Sequence, residues 1–275
     1  MTNLFNYIDR PSPIHRLTGA TKLVCVLLWS FAAMLTYDTR LLGLLVVLSL
    51  ALFRLSQIRL ADVRFMLGFT AVFMLLNNLL VFLFAPQHGV SLYGTKHLLF
   101  SLGGGYDLTR EQLFYHLNLF LKYLASIPVV LLFVCTTNPS EFAASLNRIG
   151  VKYTIAYAVA LALRYIPDIQ REYHEISQAQ QARGIEMSRK ESLGKRLRSA
   201  SAILIPLILS SMDRIEVISN AMELRCFGKN KKRSWYMARP FRAADVLAMV
   251  FCALLLAAAL ILNHLNGGRF WNPFL

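Results

Sequence analysis

Uncharged apolar residues fall into five runs along the chain: Leu23–Tyr37, Leu41–Phe53, Phe65–Ala85, Tyr123–Cys135 and Val246–Leu262. A helix that crosses a bilayer needs about 20 residues, with roughly 17 as the lower end. The third run meets that length, and the fifth does so if it extends toward Gly267. The fourth does so if its helix starts near Gln112, with Lys122 snorkelling to the outer headgroups. The first two runs are short and close together, as in a tight helical hairpin, and need Lys22, Arg40 and Arg54 to reach outward from their ends. The pattern predicts an all-α, polytopic membrane protein with about five transmembrane helices.

Between the fourth and fifth runs the period changes. Residues 1–137 read as a membrane region of four spans with an outer loop at about 86–110, and residues 243–275 as a last span. Residues 138–242 read as a cytoplasmic domain of long amphipathic helices. Asn138 as N-cap, followed by Pro139, Ser140 and Glu141, starts a helix that stops at Gly150. A second helix is expected from about Val151 to Arg183 with Pro167 inside it, and a third from about Leu193 to Arg225 around Pro206. In the second, Ile169, Tyr173, Ile176 and Ala179 or Gln180 recur at spacings of three and four; in the third, Leu204, Ile208, Met212, Ile215, Met222 and Arg225 do so. Such stripes suit a helix lying in the headgroup plane or one that offers its apolar face to a partner.

Charge assigns the sides. The chain of 275 residues is 56% hydrophobic with a mean hydropathy of +0.48, yet it carries 29 Lys and Arg against 15 Asp and Glu. With the N-terminus inside, the inner segments hold 24 of those cations and the outer segments four, Lys122 being the remaining one. That is a positive-inside distribution, and it accounts for the net charge of +14 without nucleic acid. The polar stretch Met1–Thr21, with Asp9, Arg10 and two prolines, predicts no cleavable signal peptide.

Candidate chemistry is sparse. Cys25, Cys135, Cys226 and Cys252 are scattered, without metal-ligand spacing, so neither a metal nor another cofactor is expected. Gly103-Gly104-Gly105 lacks the flanking Lys and Ser or Thr of a phosphate-binding loop and reads as a linker. An enzyme needs polar groups converging at membrane depth, and the spans offer only Lys122, Asn77, Asn78 and His116; the two asparagines are expected to bond across helices.

Two segments stand out by their parallel ends. Ala179-Gln180-Gln181-Ala182-Arg183-Gly184 and Ala221-Met222-Glu223-Leu224-Arg225-Cys226 each place an arginine four residues after an alanine, where a long helix stops. A cation in a last helical turn complements the helix dipole by about 0.3–1 kcal/mol, and Gly184 suits a C-cap. A guanidinium on a rigid helix end is also a planar fork for carboxylates or carbonyls.

With Ser12-Pro13-Ile14-His15-Arg16-Leu17 and Thr21-Lys22-Leu23 near the start, and Ala162-Leu163-Arg164-Tyr165-Ile166-Pro167 and Asp213-Arg214-Ile215-Glu216 on the two helices, the chain resembles the transmembrane T component of energy-coupling factor (ECF) transporters over nearly its whole length. The resemblance implies a non-catalytic coupling subunit of an ABC-type importer in the cell membrane. It would transmit the ATP-driven motion of two ATPase subunits to a small substrate-binding membrane protein, the S component, for uptake of a vitamin or transition-metal ion. It also implies that Ala182, Arg183, Gly184 and Leu224, Arg225, Cys226 dock the ATPases. The platform for the S component would be Ile169, Tyr173, Ile176, Leu204, Ile208, Met212, Ile215 and Met222, unless those stripes pack within the subunit or rest on lipid.

The chain departs from the family twice. Thr18-Gly19-Ala20 stands where an Asp-Pro pair is common, and Leu224-Arg225-Cys226 stands where many relatives have Ala-Arg-Gly, which lets the third helix run on toward Gly228. The competing readings are a self-sufficient secondary transporter, expected to carry inverted repeats and intramembrane charges, and a conventional ABC permease, which contacts its ATPase through one short helix.

Overall fold

The computed structural model describes residues 10, 12–101, 107–185, 193–230, 234–235 and 239–273; Gly103–Gly105 and the segment before Arg10 lie outside them. The elements are α1 (Pro13–Arg16), α2 (Gly19–Leu35), α3 (Thr39–Leu55), α4 (Leu60–Phe84), α5 (His88–Tyr93), β1 (Leu98–Ser101), β2 (Asp107–Thr109) and α6 (Arg110–Thr136), then α7 (Pro139–Arg148), α8 (Tyr153–Ala182), α9 (Leu193–Leu224) and α10 (Ala243–Leu265). They divide into a membrane unit, Met1–Asn138 with Arg239–Leu275, and a second unit, Pro139–Ala238.

In the membrane unit, α4, α6 and α10 are long and apolar enough to cross a bilayer. The 17 residues of α2 and of α3 extend about 25 Å each, at the short end for a span. Three side chains set where these helices begin: Thr18 accepts from the Thr21 amide, Asp38 from that of Arg40 and Thr109 from that of Gln112. The core forms where α2, α3, α6 and α10 meet, around Trp29, Leu41, Leu45, Val129 and Leu255 with Ala32, Ala33, Ala125 and Ala259. The alanines let backbones approach, and Trp29 Nε1 uses that closeness to donate to the Ala125 carbonyl at 3.0 Å.

Cross-helix bonds give the directions. Lys22 meets Thr136, Ser49 meets Leu124 and Asn263 meets Leu35, so α2 and α10 run one way and α3 and α6 the other. The end at which α2 and α10 begin is called the near end below. α4 leaves most of its apolar side chains exposed, Phe65, Phe69 and Val72 among them, as a lipid-facing span does. It bonds to α6 as its asparagines predict: Asn77 accepts from the Tyr123 hydroxyl and Asn78 pairs with His116, both at 3.0 Å.

Two lysines behave otherwise than expected. Lys122 does not snorkel; it is 8% exposed, with Nζ 2.9 Å from the Met34 carbonyl and 3.2 Å from the Tyr37 ring centroid. Lys22 does not reach outward either, and donates to the Thr136 carbonyl at 2.7 Å. Met34 and Thr136 lie in the last turns of α2 and α6, where carbonyls lack partners within their own helix. Each ammonium therefore caps the negative end of a neighbouring helix.

The 86–110 region is more ordered than a loop. It holds α5 and an antiparallel hairpin pairing Leu98 with Thr109. Gly89 is required by contact: a Cβ there would lie 2.6 Å from the Gln112 nitrogen. Its amide donates to Gln112 Oε1 at 2.7 Å. Beside it Phe270 stacks on Tyr37, and Arg40 lies 4.1 Å over Trp271.

At the near end, Thr18 is the N-cap of α2, and a carboxylate arrives from elsewhere in the chain. Asp245 Oδ1 accepts from the Thr18 amide and the Thr21 hydroxyl, 2.8 Å each. Its Oδ2 accepts from the Arg242 amide at 2.8 Å, so one buried acid serves the starts of both α2 and α10.

Candidate functional site

The second unit is organised by α8 and α9, of 30 and 32 residues. Gln180 donates to the Ala202 carbonyl at 3.1 Å, and Glu172 accepts from Ser210 Oγ and from Arg214 Nη2, the latter at 2.6 Å. Phe227, just past α9, packs on Tyr157 and Tyr153 with ring centroids 4.8 and 5.5 Å apart. Partner numbers rise on one helix as they fall on the other, so the pair is antiparallel. Few apolar side chains of the two helices are fully buried among the described residues: Ile203 and Leu207 on α9, Tyr153 and Ala156 on α8. The Glu172–Arg214 ion pair, 16% and 34% exposed at its two side chains, therefore carries much of the register. The sequence singled out Arg214 as part of the family-like pattern without assigning this contact.

Both arginine-bearing segments end their helices by the same backbone construction. Arg183 is the C-cap of α8 and Gly184 follows at φ +84°. The Ile185 amide reaches back to the Gln180 carbonyl at 3.1 Å and that of Gly184 to Gln181 at 3.0 Å. At the other end α9 stops at Leu224 and Cys226 takes φ +53°. The Phe227 amide bonds the Met222 carbonyl at 3.0 Å and that of Cys226 bonds Glu223 at 2.9 Å. Each is a Schellman turn, in which a left-handed residue lets two amides satisfy carbonyls the helix leaves open. The continuation of α9 toward Gly228 that the sequence left open does not occur, because the chain turns at Cys226.

Ala182, Arg183, Gly184, Leu224, Arg225 and Cys226 are all exposed, Leu224 to 86%. Neither Arg183 nor Arg225 has a side-chain ion pair among the described residues. Because Gln180 pairs with Ala202, Arg225 lies more than 20 residues along α9 from the Arg183 end, about 35 Å at 1.5 Å per residue. The two guanidiniums thus occupy opposite ends of one helix pair. Arg225 also lines a cavity of about 580 Å³ with Tyr157, Tyr165, Phe227 and Trp235.

The platform residues divide. On α9, Leu204, Ile208, Met212 and Ile215 are 48, 56, 60 and 64% exposed, flanking the buried Ile203 and Leu207, while Met222 is half-buried. On α8, Ile169 is exposed but Tyr173 and Ile176 are half-buried. Part of the α8 stripe is therefore used within the unit, and α9 adds Ile205, Leu209 and Val217 to the bare surface. These three were missed because a stripe read at spacings of three and four is narrower than the uncovered face of a helix with one neighbour.

These features define a helical membrane protein that joins a spanning bundle to a pair of long helices with bare apolar flanks and exposed cationic ends. The profile of CbiQ, described as cobalt transport protein, matches residues 10–235. The chain is 28% identical to the energy-coupling factor transporter transmembrane protein EcfT of Bacillus selenitireducens, across 95% of this chain and 97% of that protein. It is 27% identical to the proteins of the same name from Acidaminococcus fermentans, across 94% and 96% of the two chains, and Streptococcus thermophilus, across 94% and 97%. The chain belongs to the CbiQ family, as its T-component motifs imply. Neither a self-sufficient secondary transporter nor a conventional ABC permease is favoured by these likenesses.

Proposed function

We propose that this chain is the transmembrane coupling subunit of an ECF-type importer in the cell membrane, with its near end and second unit on the cytoplasmic side. It is non-catalytic; two ABC-type ATPase subunits bind the Arg183 and Arg225 ends, and a small substrate-binding membrane protein rests on the apolar face of α9. The observation that carries this reading is the matched pair of exposed arginine C-caps at opposite ends of one antiparallel helix pair. Two separate attachment points suit two copies of a motor, and an ion-paired helix pair passes a change of their spacing to whatever sits on it. The excess of Lys and Arg in the segments assigned to the inner side supports the orientation. The substrate, a vitamin or a transition-metal ion, is selected by the partner.

The test is co-purification of the ATPase subunits with the variants Arg183→Glu and Arg225→Glu, singly and together. Each single reversal weakens capture by about tenfold or more, and the double variant loses it together with uptake. Capture of the ATPases by the double variant at full strength refutes the reading.

A further inference from the structure

In the membrane unit, away from the coupling helices, Arg16, Arg239 and Arg242 line a cavity of about 340 Å³ together with Thr18 and Pro240. Its depth in the bilayer is set by the fold. Thr18 is the residue before α2 and Arg242 the residue before α10, and the two helices start side by side. The cavity therefore opens where two helices of the bundle begin, the level at which headgroups would lie if the bundle spans a bilayer. Arg239 Nη1 donates to the His15 carbonyl at 3.4 Å, which holds its guanidinium beside the segment bearing Arg16.

The electrostatics are one-sided. Among the described residues no carboxylate lines the cavity. The acid beside it, Asp245, is 1% exposed, and its oxygens are committed to the Thr18 and Arg242 amides and the Thr21 hydroxyl. All three arginines are exposed, and none forms an ion pair with a described residue. Three arginines around one concavity concentrate positive charge that an entering anion offsets. A phosphate matches them, because each fork can donate two hydrogen bonds to it. At the edge of a bilayer the abundant phosphates belong to lipids, and basic pockets between spans hold anionic headgroups. A zwitterionic headgroup brings its own cation into the same cluster and is disfavoured.

We propose that the Arg16–Arg239–Arg242 cavity binds the phosphate of an anionic phospholipid headgroup. The inference is independent of the coupling role, since none of its residues belongs to the second unit.

The test compares the full-length chain with the triple variant Arg16→Gln, Arg239→Gln, Arg242→Gln, using native mass spectrometry in detergent with added phosphatidylglycerol or phosphatidylcholine. The chain retains one phosphatidylglycerol in preference to phosphatidylcholine, and the triple variant weakens that retention by about a hundredfold. The variant Arg54→Gln, Arg59→Gln, Arg64→Gln, which removes three near-end charges outside the cavity, keeps it and serves as the charge-matched control. Equal retention by the triple variant, with its thermal unfolding unchanged, overturns the site, as does equal loss in the control. If the triple variant unfolds, Arg239→Gln alone is read instead: about a fivefold loss supports the site and none overturns it. Displacement of the lipid by millimolar inorganic phosphate, with the same protection against unfolding, assigns the cavity to a soluble anion and overturns the lipid assignment.

Discussion

Arg183 and Arg225 occupy the same position of the same Schellman turn, but the residue that turns the chain is Gly184 after one and Cys226 after the other. Among the described residues other than its chain neighbours, no atom lies within 4 Å of where a Cβ at Gly184 would stand. Beyond Cys226, Phe227 is clamped between Tyr153 and Tyr157, and Arg225 borders an aromatic cavity. A left-handed conformation costs an L-residue about 1–2 kcal/mol, and glycine escapes that cost. The first end is therefore shaped by its own backbone chemistry. The second holds a strained residue in place through tertiary packing. Equivalent geometry has been reached by two routes, and they fail differently.

Substitution at the glycine separates them most sharply. Gly184→Ala meets no atom of the described residues, and its conformational cost is about 1–2 kcal/mol at the end of α8. Amide exchange at Gly184 and Ile185 accelerates by about five- to thirtyfold, while the Cys226–Phe227 amides keep their rates. A change shared by both ends means that the two turns are not independent.

Next come Arg183→Lys and Arg225→Lys, which keep the charge and lose the planar fork. Each weakens ATPase capture by about tenfold. Undiminished capture reduces the contact to simple charge attraction.

Smallest is Cys226→Gly. It relieves the left-handed strain but adds chain freedom worth about 0.5–1 kcal/mol to the unfolded state. The net gain is about 0.5 kcal/mol, seen as roughly twofold slower exchange at Phe227. A loss of protection there means that the cysteine side chain itself holds the turn.

The helix limits of the second unit were legible because glycine and proline punctuate it. Gly150, Gly184 and the start at Pro139 lie within a residue or two of the observed ends. The alternation of the spans was legible from the apolar runs and their charged ends. What escaped reading depended on atoms brought from far along the chain. Lys22 and Lys122 look like span-end cations until α6 and α2 present the bare carbonyls of Thr136 and Met34. The left-handed turn at Cys226 carries no local signal, since cysteine has no preference for it; the aromatic contacts of Phe227 come from residues 70 or more positions earlier. The half-buried state of Tyr173 and Ile176 likewise depends on which face of α9 they meet.

The first turn of α2 has a consequence for how load travels through the molecule. The chain leaves the bundle just after Thr136 and re-enters it just before Ala243. Lys22 grips the departure point, while Thr18 and Thr21 hold the carboxylate beside the return point. Both connections to the second unit are thus made fast to a single short stretch of backbone. A load on either connection is therefore met by the same turn of α2, at the end of the bundle opposite the aromatic cluster of Tyr37, Tyr93 and Phe270.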